Sequence, residues 1–255
     1  MLFAAAFSLA AAADAQDPFE IHVYEFETLK SGGFTLEQHA NYWAEGSKTF
    51  EGTVAPTNDQ FHMTYELTGG VTDQISVGFM ELNGVRPGGA GLEYAGWRVL
   101  PHFYAPRSWG WPVDAGLVVE FSFARTVYVP DSRTVEIRPI LERRVGRMQF
   151  DFNPVFARAL HGPDTRNGWQ FEPAARAAYG DSDTQRATPY LEWYSELGPL
   201  PAFVAGTMQV HQLFPGVDLR FTDNLLWSAG VGVGLTPAGP RLVYKSRLEY
   251  SFGRK

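Results

Sequence analysis

Residues 242–252 read Leu-Val-Tyr-Lys-Ser-Arg-Leu-Glu-Tyr-Ser-Phe. Leu242, Tyr244, Leu248, Tyr250 and Phe252 fall on alternate positions, with Lys245, Arg247 and Glu249 between them. A period of two marks a β-strand with two chemically distinct faces. The rhythm recurs along the chain. Phe61, Met63, Tyr65 and Leu67 alternate with His62, Thr64 and Glu66. Ala95, Trp97, Val99 and Phe103 alternate with Gly96, Arg98 and His102. Leu117, Val119, Phe121 and Phe123 alternate with Val118, Glu120 and Ser122, and Val135, Ile137, Pro139 and Leu141 with Glu136, Arg138 and Glu142. Met148, Phe150 and Phe152 alternate with Gln149, Asp151 and Asn153. Trp227, Ala229, Val231, Val233 and Leu235 alternate with Ser228, Gly230, Gly232 and Gly234. Gly, Pro, Asn and Asp punctuate the blocks, and helical periodicity is nearly absent.

The content of the two faces narrows the fold. A soluble β-sandwich also alternates, but it favours Val, Ile and Leu on its inner face and charges freely on its outer one. Here one face is rich in Phe, Trp, Tyr and Val, and the other mixes Glu, Arg, His, Asn, Gly and Ser. Blocks of about ten residues suit tilted bilayer-spanning strands. A closed barrel satisfies every backbone group, as lipid demands. The expected fold class is therefore all-β, a transmembrane antiparallel up-and-down β-barrel. A secreted β-sandwich with a binding groove is the soluble alternative.

Composition agrees. Aromatics reach 15% and charged residues only 19%, the reverse of a disordered chain. The net charge of −7 leaves no basic excess for nucleic acid. With no cysteine, disulfides, thiolate metal sites and cysteine nucleophiles are excluded.

Met1 to Ala13 form an unbroken run of apolar or small residues, too short to span a bilayer as a helix and suited to a signal peptide. Ala13-Asp14-Ala15 supplies the small residues of a cleavage site after Ala15. Thirteen candidate strand blocks follow: 18–28, 33–45, 59–67, 71–82, 92–104, 114–125, 133–142, 147–156, 168–179, 187–197, 203–214, 224–235 and 241–252. Single-chain bacterial barrels have even strand numbers, with long connections on the extracellular side. The long connections 46–58 and 83–91 flank the tight 68–70, so the block starting at 33 rises from the periplasm. Block 18–28 then has no place as a spanning strand. The expected organisation is a signal peptide over 1–15, an N-terminal extension or plug over 16–32, and a barrel over 33–255 with about twelve strands. Fourteen strands follow if a long block is two.

Chemistry-bearing motifs are sparse. His22, His39, His62, His102, His161 and His211 are candidates for metal or acid–base work. Glu37 with His39, and Gln209 with His211, stand two apart on one strand face. A metal site needs three or four converging ligands, so the sequence assigns no metal and no cofactor. No HExxH, GxSxG or phosphate-loop pattern occurs, and no catalytic residue is assigned. Pro87 to Gly91 reads as a loop tip. Trp109 and Trp111 suit an interfacial aromatic girdle. Arg98, His102, Glu120, Glu136, Arg138, Asp151, Glu192 and His211 are expected to line the lumen, their mixed signs pairing locally.

The closing strand, with an aromatic residue near its end, resembles the C-terminal signature of bacterial outer-membrane β-barrels that their assembly machinery reads. Gly253-Arg254-Lys255 follow it here, where that class usually ends on the aromatic. The opening Phe19-Glu20-Ile21-His22-Val23-Tyr24 and the segment Ala95-Gly96-Trp97-Arg98 resemble barrels grouped with transporters of the MetA-pathway phenol-degradation type. The resemblance implies a passive channel or transporter for small molecules, hydrophobic ones included, in the outer membrane of a Gram-negative bacterium. Its expected surroundings are membrane lipid, lipopolysaccharide and the outer-membrane assembly machinery. An outer-membrane lipid-modifying enzyme is the alternative.

Overall fold

The structure is a computed structural model that describes residues 17–182 and 184–254. The expected signal peptide lies outside them. Among the described residues, fifteen strands form one antiparallel sheet. They are β1 (Gly33–Glu45), β2 (Gln60–Gly70), β3 (Ile75–Val85), β4 (Glu93–Tyr104), β5 (Asp114–Ala124), β6 (Arg133–Val145), β7 (Met148–Asn153), β8 (Phe156–His161), β9 (Trp169–Phe171), β10 (Ala174–Tyr179), β11 (Ala187–Glu196), β12 (Gly198–Pro199), β13 (Val210–Thr222), β14 (Leu225–Gly234) and β15 (Leu242–Gly253). The first and last close the sheet: β1 pairs with β15 from Gly33 opposite Gly253 to Glu45 opposite Leu242. The result is the expected closed barrel of twelve strands, with three more counted because three staves are interrupted. No helix among the described residues is long and apolar enough to cross a membrane.

The interruptions lie side by side. β7 continues as β8 beyond Asn153 and Pro154, β9 as β10 across Glu172 and Pro173, and β11 as β12 across Leu197. Proline has no N–H to give the ladder, so pairing breaks there. Backbone bonds bridge the seam: Glu172 N–H donates to Val155 O at 2.9 Å, Ser195 N–H to Pro173 O at 3.0 Å and Leu197 N–H to Phe171 O at 3.0 Å. β6 runs unbroken beside it, pairing with both β7 and β8.

Two sequence readings need correction. Residues 215–223 are not a connection, because β13 runs through them to Thr222 and the loop lies at 200–209. Pro215 and Gly216 misled the reading. Pro215 is paired with Leu191 on one side, while the ladder to β14 passes over Phe214 and Pro215. Gly216 sits where a Cβ would strike the Tyr190 ring at 2.3 Å. The alternation also slips in β4. A bulge against Leu82 and Asn83 turns Ala95 inward, where it is fully buried, instead of outward with Trp97.

The outward face is the apolar one. Leu36, Leu67, Phe79, Phe121, Phe150, Leu191, Val233 and Tyr244 are all exposed. Side chains stack across neighbouring strands, as Trp97 does on Phe123 at 4.2 Å and Phe34 on Phe252 at 5.5 Å. A belt this large is unfavourable in water and suits hydrocarbon. Trp109 and Trp111 are exposed in the 105–113 connection, their rings 5.2 Å apart.

Closure leaves no edge for detergent to open. The unboiled protein should therefore migrate differently from the boiled one on a detergent gel, and should partition into the sarkosyl-insoluble fraction. Equal mobility with recovery in the soluble periplasm would contradict a closed membrane barrel.

Candidate functional site

The lumen is threaded by the chain's own N-terminal segment. Residues 17–29 carry no strand assignment, yet Phe19, Ile21, Val23 and Tyr24 are buried. An extended run of thirteen residues reaches up to about 43 Å, more than the hydrocarbon thickness of about 30 Å. The segment enters beside the turn connecting β2 and β3, where Gly32 N–H donates to Gly70 O at 3.0 Å. Its far end reaches β4, where Arg98 donates to Asp17.

A backbone inside a barrel has no strand partner, so side chains from the wall must satisfy it. Asn153 clasps Tyr24 from both sides: Tyr24 N–H donates to Asn153 Oδ1 at 2.7 Å, and Asn153 Nδ2 donates to Tyr24 O at 3.0 Å. Phe26 N–H donates to Glu142 Oε2 at 3.0 Å. Lys245 Nζ reaches Ile21 O at 3.3 Å, Thr64 Oγ1 reaches Phe19 O at 2.9 Å and Asn41 Nδ2 reaches Pro18 O at 3.0 Å. The donors come from opposite sides of the barrel.

Apolar contacts follow the same path. Phe19 and Tyr24 pack with Met80, Leu82, Leu100, Val118 and Ile140 on the inner wall of β3 to β6. Ile21 and Val23 pack with Trp43, Tyr194, Phe214 and Val243. Sequence reasoning missed this inner apolar patch, since a polar lumen was expected between the outward residues. Gly232 makes room for it on the far wall, because a Cβ there would meet the Phe214 ring at 2.2 Å.

Charge completes the fit. Residues 17–29 hold Asp17, Glu20, Glu25 and Glu27 and no Lys or Arg. Arg98 binds Asp17, lies 3.7 Å from Glu20 and 3.2 Å from Glu120. Arg138 holds Glu136 at 2.8 Å and lies 3.9 Å from Glu20. Arg176 spans Glu25 at 3.1 Å, Asp151 at 3.3 Å and Asp218 at 2.5 Å. Lys245 pairs with Glu192. Arg98, Glu120, Glu136, Arg138, Asp151 and Glu192 thus turn inward into these networks, and buried His102 faces the Tyr24 ring at 5.9 Å. Arg176, Lys245 and Arg247 join them without having been singled out; their alternation with outward apolar residues was the available signal.

His211 stands apart. It alternates with buried Val210 and Gln212, so it faces outward, stacked on Trp193 at 6.0 Å. Its Nδ1 is 2.9 Å from Ser195 Oγ and its Nε2 is 3.2 Å from Gln209 Oε1. The lumen assignment of His211 is corrected on that parity.

Cavities flank the threaded segment. One of about 770 Å³ opens at the end of the short turns, beside Thr28, Leu29, Gln74, Arg107 and Asn224. Another of about 710 Å³ opens at the end of the long loops, beside Asp17, Pro18, Ser47, Asn167 and Pro240. The loop joining β5 and β6 folds into this second mouth. Its Tyr128 is buried, 5.7 Å from the Phe19 ring, and donates to Glu93 at 3.1 Å. Burial, with the charge of Glu93, pushes the Tyr128 hydroxyl up, so it stays protonated as the donor. Burial likewise raises Asp131 in the same loop.

No family model and no curated protein sequence matches the chain. Solved structures do. An outer membrane channel from Pseudomonas putida F1 superposes at TM-score 0.60 and 11% identity, covering 91% of this chain and 100% of that one. The KdgM porin gives 0.53 at 8% identity over 86% and 99%. The transport unit of the autotransporter AIDA-I from Escherichia coli gives 0.50 at 11% over 92% and 95%. At such identities the likeness is one of fold, that of outer-membrane β-barrels. With the apolar belt around a closed sheet, it places the chain in the outer membrane.

The Asn153 clasp generates a test. Asn153→Leu leaves the Tyr24 N–H and C=O without partners, at about 1–3 kcal/mol each. Amide exchange at Tyr24 should accelerate by at least about tenfold, while β1 and β15 amides stay protected. Unchanged Tyr24 exchange would show that the clasp does not hold the segment.

Proposed function

We propose that the barrel is a passive outer-membrane channel for small molecules whose resting lumen is closed by residues 17–29. The observation that carries the reading is the pair of cavities at opposite ends with the segment between them. Burial of Phe19, Ile21 and Val23 holds the segment in place and the lost freedom of its backbone opposes it, so a ligand that interacts differently with the plugged and unplugged states shifts their populations.

The inner patch of Met80, Leu82, Leu100, Val118 and Ile140 supports a cargo with apolar surface. Once Phe19 withdraws, a small aromatic solute would find that patch beside the Arg98 and Arg138 guanidiniums. The resemblance to transporters of the phenol-degradation type supports the same class. Lipopolysaccharide and phospholipid would bathe the outer belt, and the assembly machinery would read the closing strand.

A lipid-modifying enzyme draws on the outward trio of Ser195, His211 and Gln209. Its geometry fits proton transfer from Oγ to imidazole. Ser195 is only 1% exposed, however, so a substrate carbonyl has no approach to that oxygen. The channel reading therefore takes precedence.

Planar-bilayer recording tests it. The whole protein should conduct weakly, and a variant lacking residues 17–29 should conduct several-fold more. Removing four carboxylates from the lumen should also shift selectivity toward anions. Silence from both proteins, each still shifting mobility on heating, would overturn the channel.

A further inference from the structure

The lumen holds a cluster that channel closure does not explain. His39 on β1, Glu66 on β2 and Glu20 of the threaded segment bring one ligand atom each to within 4.8 Å of one another. All three side chains are buried. His39 Nε2 and Glu20 Oε2 are buried without a hydrogen-bond partner. Such orphaned atoms are costly in a low-dielectric interior and call for an occupant.

The remaining carboxylate oxygens are already held. Thr68 Oγ1 donates to Glu66 Oε1 at 2.7 Å, and Tyr24 O–H donates to Glu20 Oε1 at 2.5 Å. These are the outer partners that orient metal ligands. Among the described residues Glu66 has no Lys or Arg within ion-pair reach, only His39 at 4.0 Å. Arg98 and Arg138 approach Glu20 Oε2 no closer than 3.7 and 3.9 Å, each engaged more closely elsewhere. Two other acidic groups differ in this respect. Arg98 serves the group of Asp17, Glu120 and Glu136, and Arg176 serves that of Glu25, Glu142 and Asp151. Those groups already hold a cation, supplied by the chain.

We propose that His39 Nε2, Glu66 Oε2 and Glu20 Oε2 bind a first-row divalent metal ion, with zinc the reference occupant, which fastens the threaded segment to the barrel wall. One imidazole and two carboxylates form a borderline donor set that suits this class of ion. Ligand atoms around tetrahedral zinc stand roughly 3.3 Å apart, so small side-chain rotations close the set. Glu37 Oε2, 3.4 Å from His39 Nε2 and held by Arg247 at 3.0 Å, stands beside the set, and water can supply a further ligand. Glu66 and Glu37 line the cavity at the end of the short turns, which gives the ion an entry path. The site stands whether or not the barrel conducts.

The test uses the whole protein, folded in detergent, stripped with chelator and titrated with zinc, with cobalt(II) as a visible-light probe. One ion should bind per chain. His39→Gln and Glu66→Gln should each weaken binding by at least about tenfold, and Thr68→Val by roughly 10–100-fold through its outer contact. Asp114→Asn, at an exposed pair with Arg107, should bind as the parent does. The heat-dependent gel shift verifies that each variant is folded. Substoichiometric zinc in the folded parent, or equal affinity in the parent, His39→Gln and Glu66→Gln, would overturn the site.

Discussion

Hydrocarbon offers no hydrogen bond, and that constraint organises this molecule. Each N–H and C=O at membrane depth needs a partner within the chain. Pairing β1 with β15 along almost its whole length removes the only edges a twelve-stave sheet would have. The outward alternation of Phe, Leu, Val and Tyr becomes useful only once that closure exists. Where proline breaks the ladder, the neighbouring staves break at the same level, and short backbone bonds re-pair the freed groups across the gap.

The same rule reaches the lumen. An extended segment inside a barrel has lost water over much of its length without gaining a ladder. The wall answers with amide, hydroxyl, ammonium and carboxylate groups aimed at backbone atoms. Asn153 suits the largest share of this because its amide offers donor and acceptor side by side, matching the N–H and C=O of one residue. Three acids of the segment, Asp17, Glu20 and Glu25, face guanidiniums that would otherwise lack part of their compensation. Segment and wall are thus complementary in shape, polarity and charge.

Much of the fold was legible because one period of two runs through nearly every stave. Phe61 to Leu67 declare their faces without ambiguity. Legibility failed where local rules met tertiary context. Pro215 and Gly216 look like a loop, yet the proline can sit where the ladder to β14 lapses, and the glycine admits the Tyr190 ring. Ala95 seemed to share Trp97's face because a bulge leaves no mark in composition. The inward bet on Arg98 and Arg138 rested on parity. His211 departs from it because its apolar neighbour Val210 turns inward, against the rule that apolar residues face out. Convergence was invisible: Glu20, His39 and Glu66 lie on three elements, and no spacing relates them.

The seam across the three interrupted staves insulates register. A residue inserted into an unbroken strand flips every side chain beyond it to the opposite face. Above the seam, β8, β9 and β12 are short pieces already decoupled from the pattern below. Insertions there leave Asp151, Arg176 and Glu192 facing inward, since those residues belong to the lower pieces. That quadrant of the outer rim is thus free to lengthen, shorten or exchange its loops while the lumen keeps its wall. The rim at the long-loop end can diversify on one side without changing what the barrel encloses.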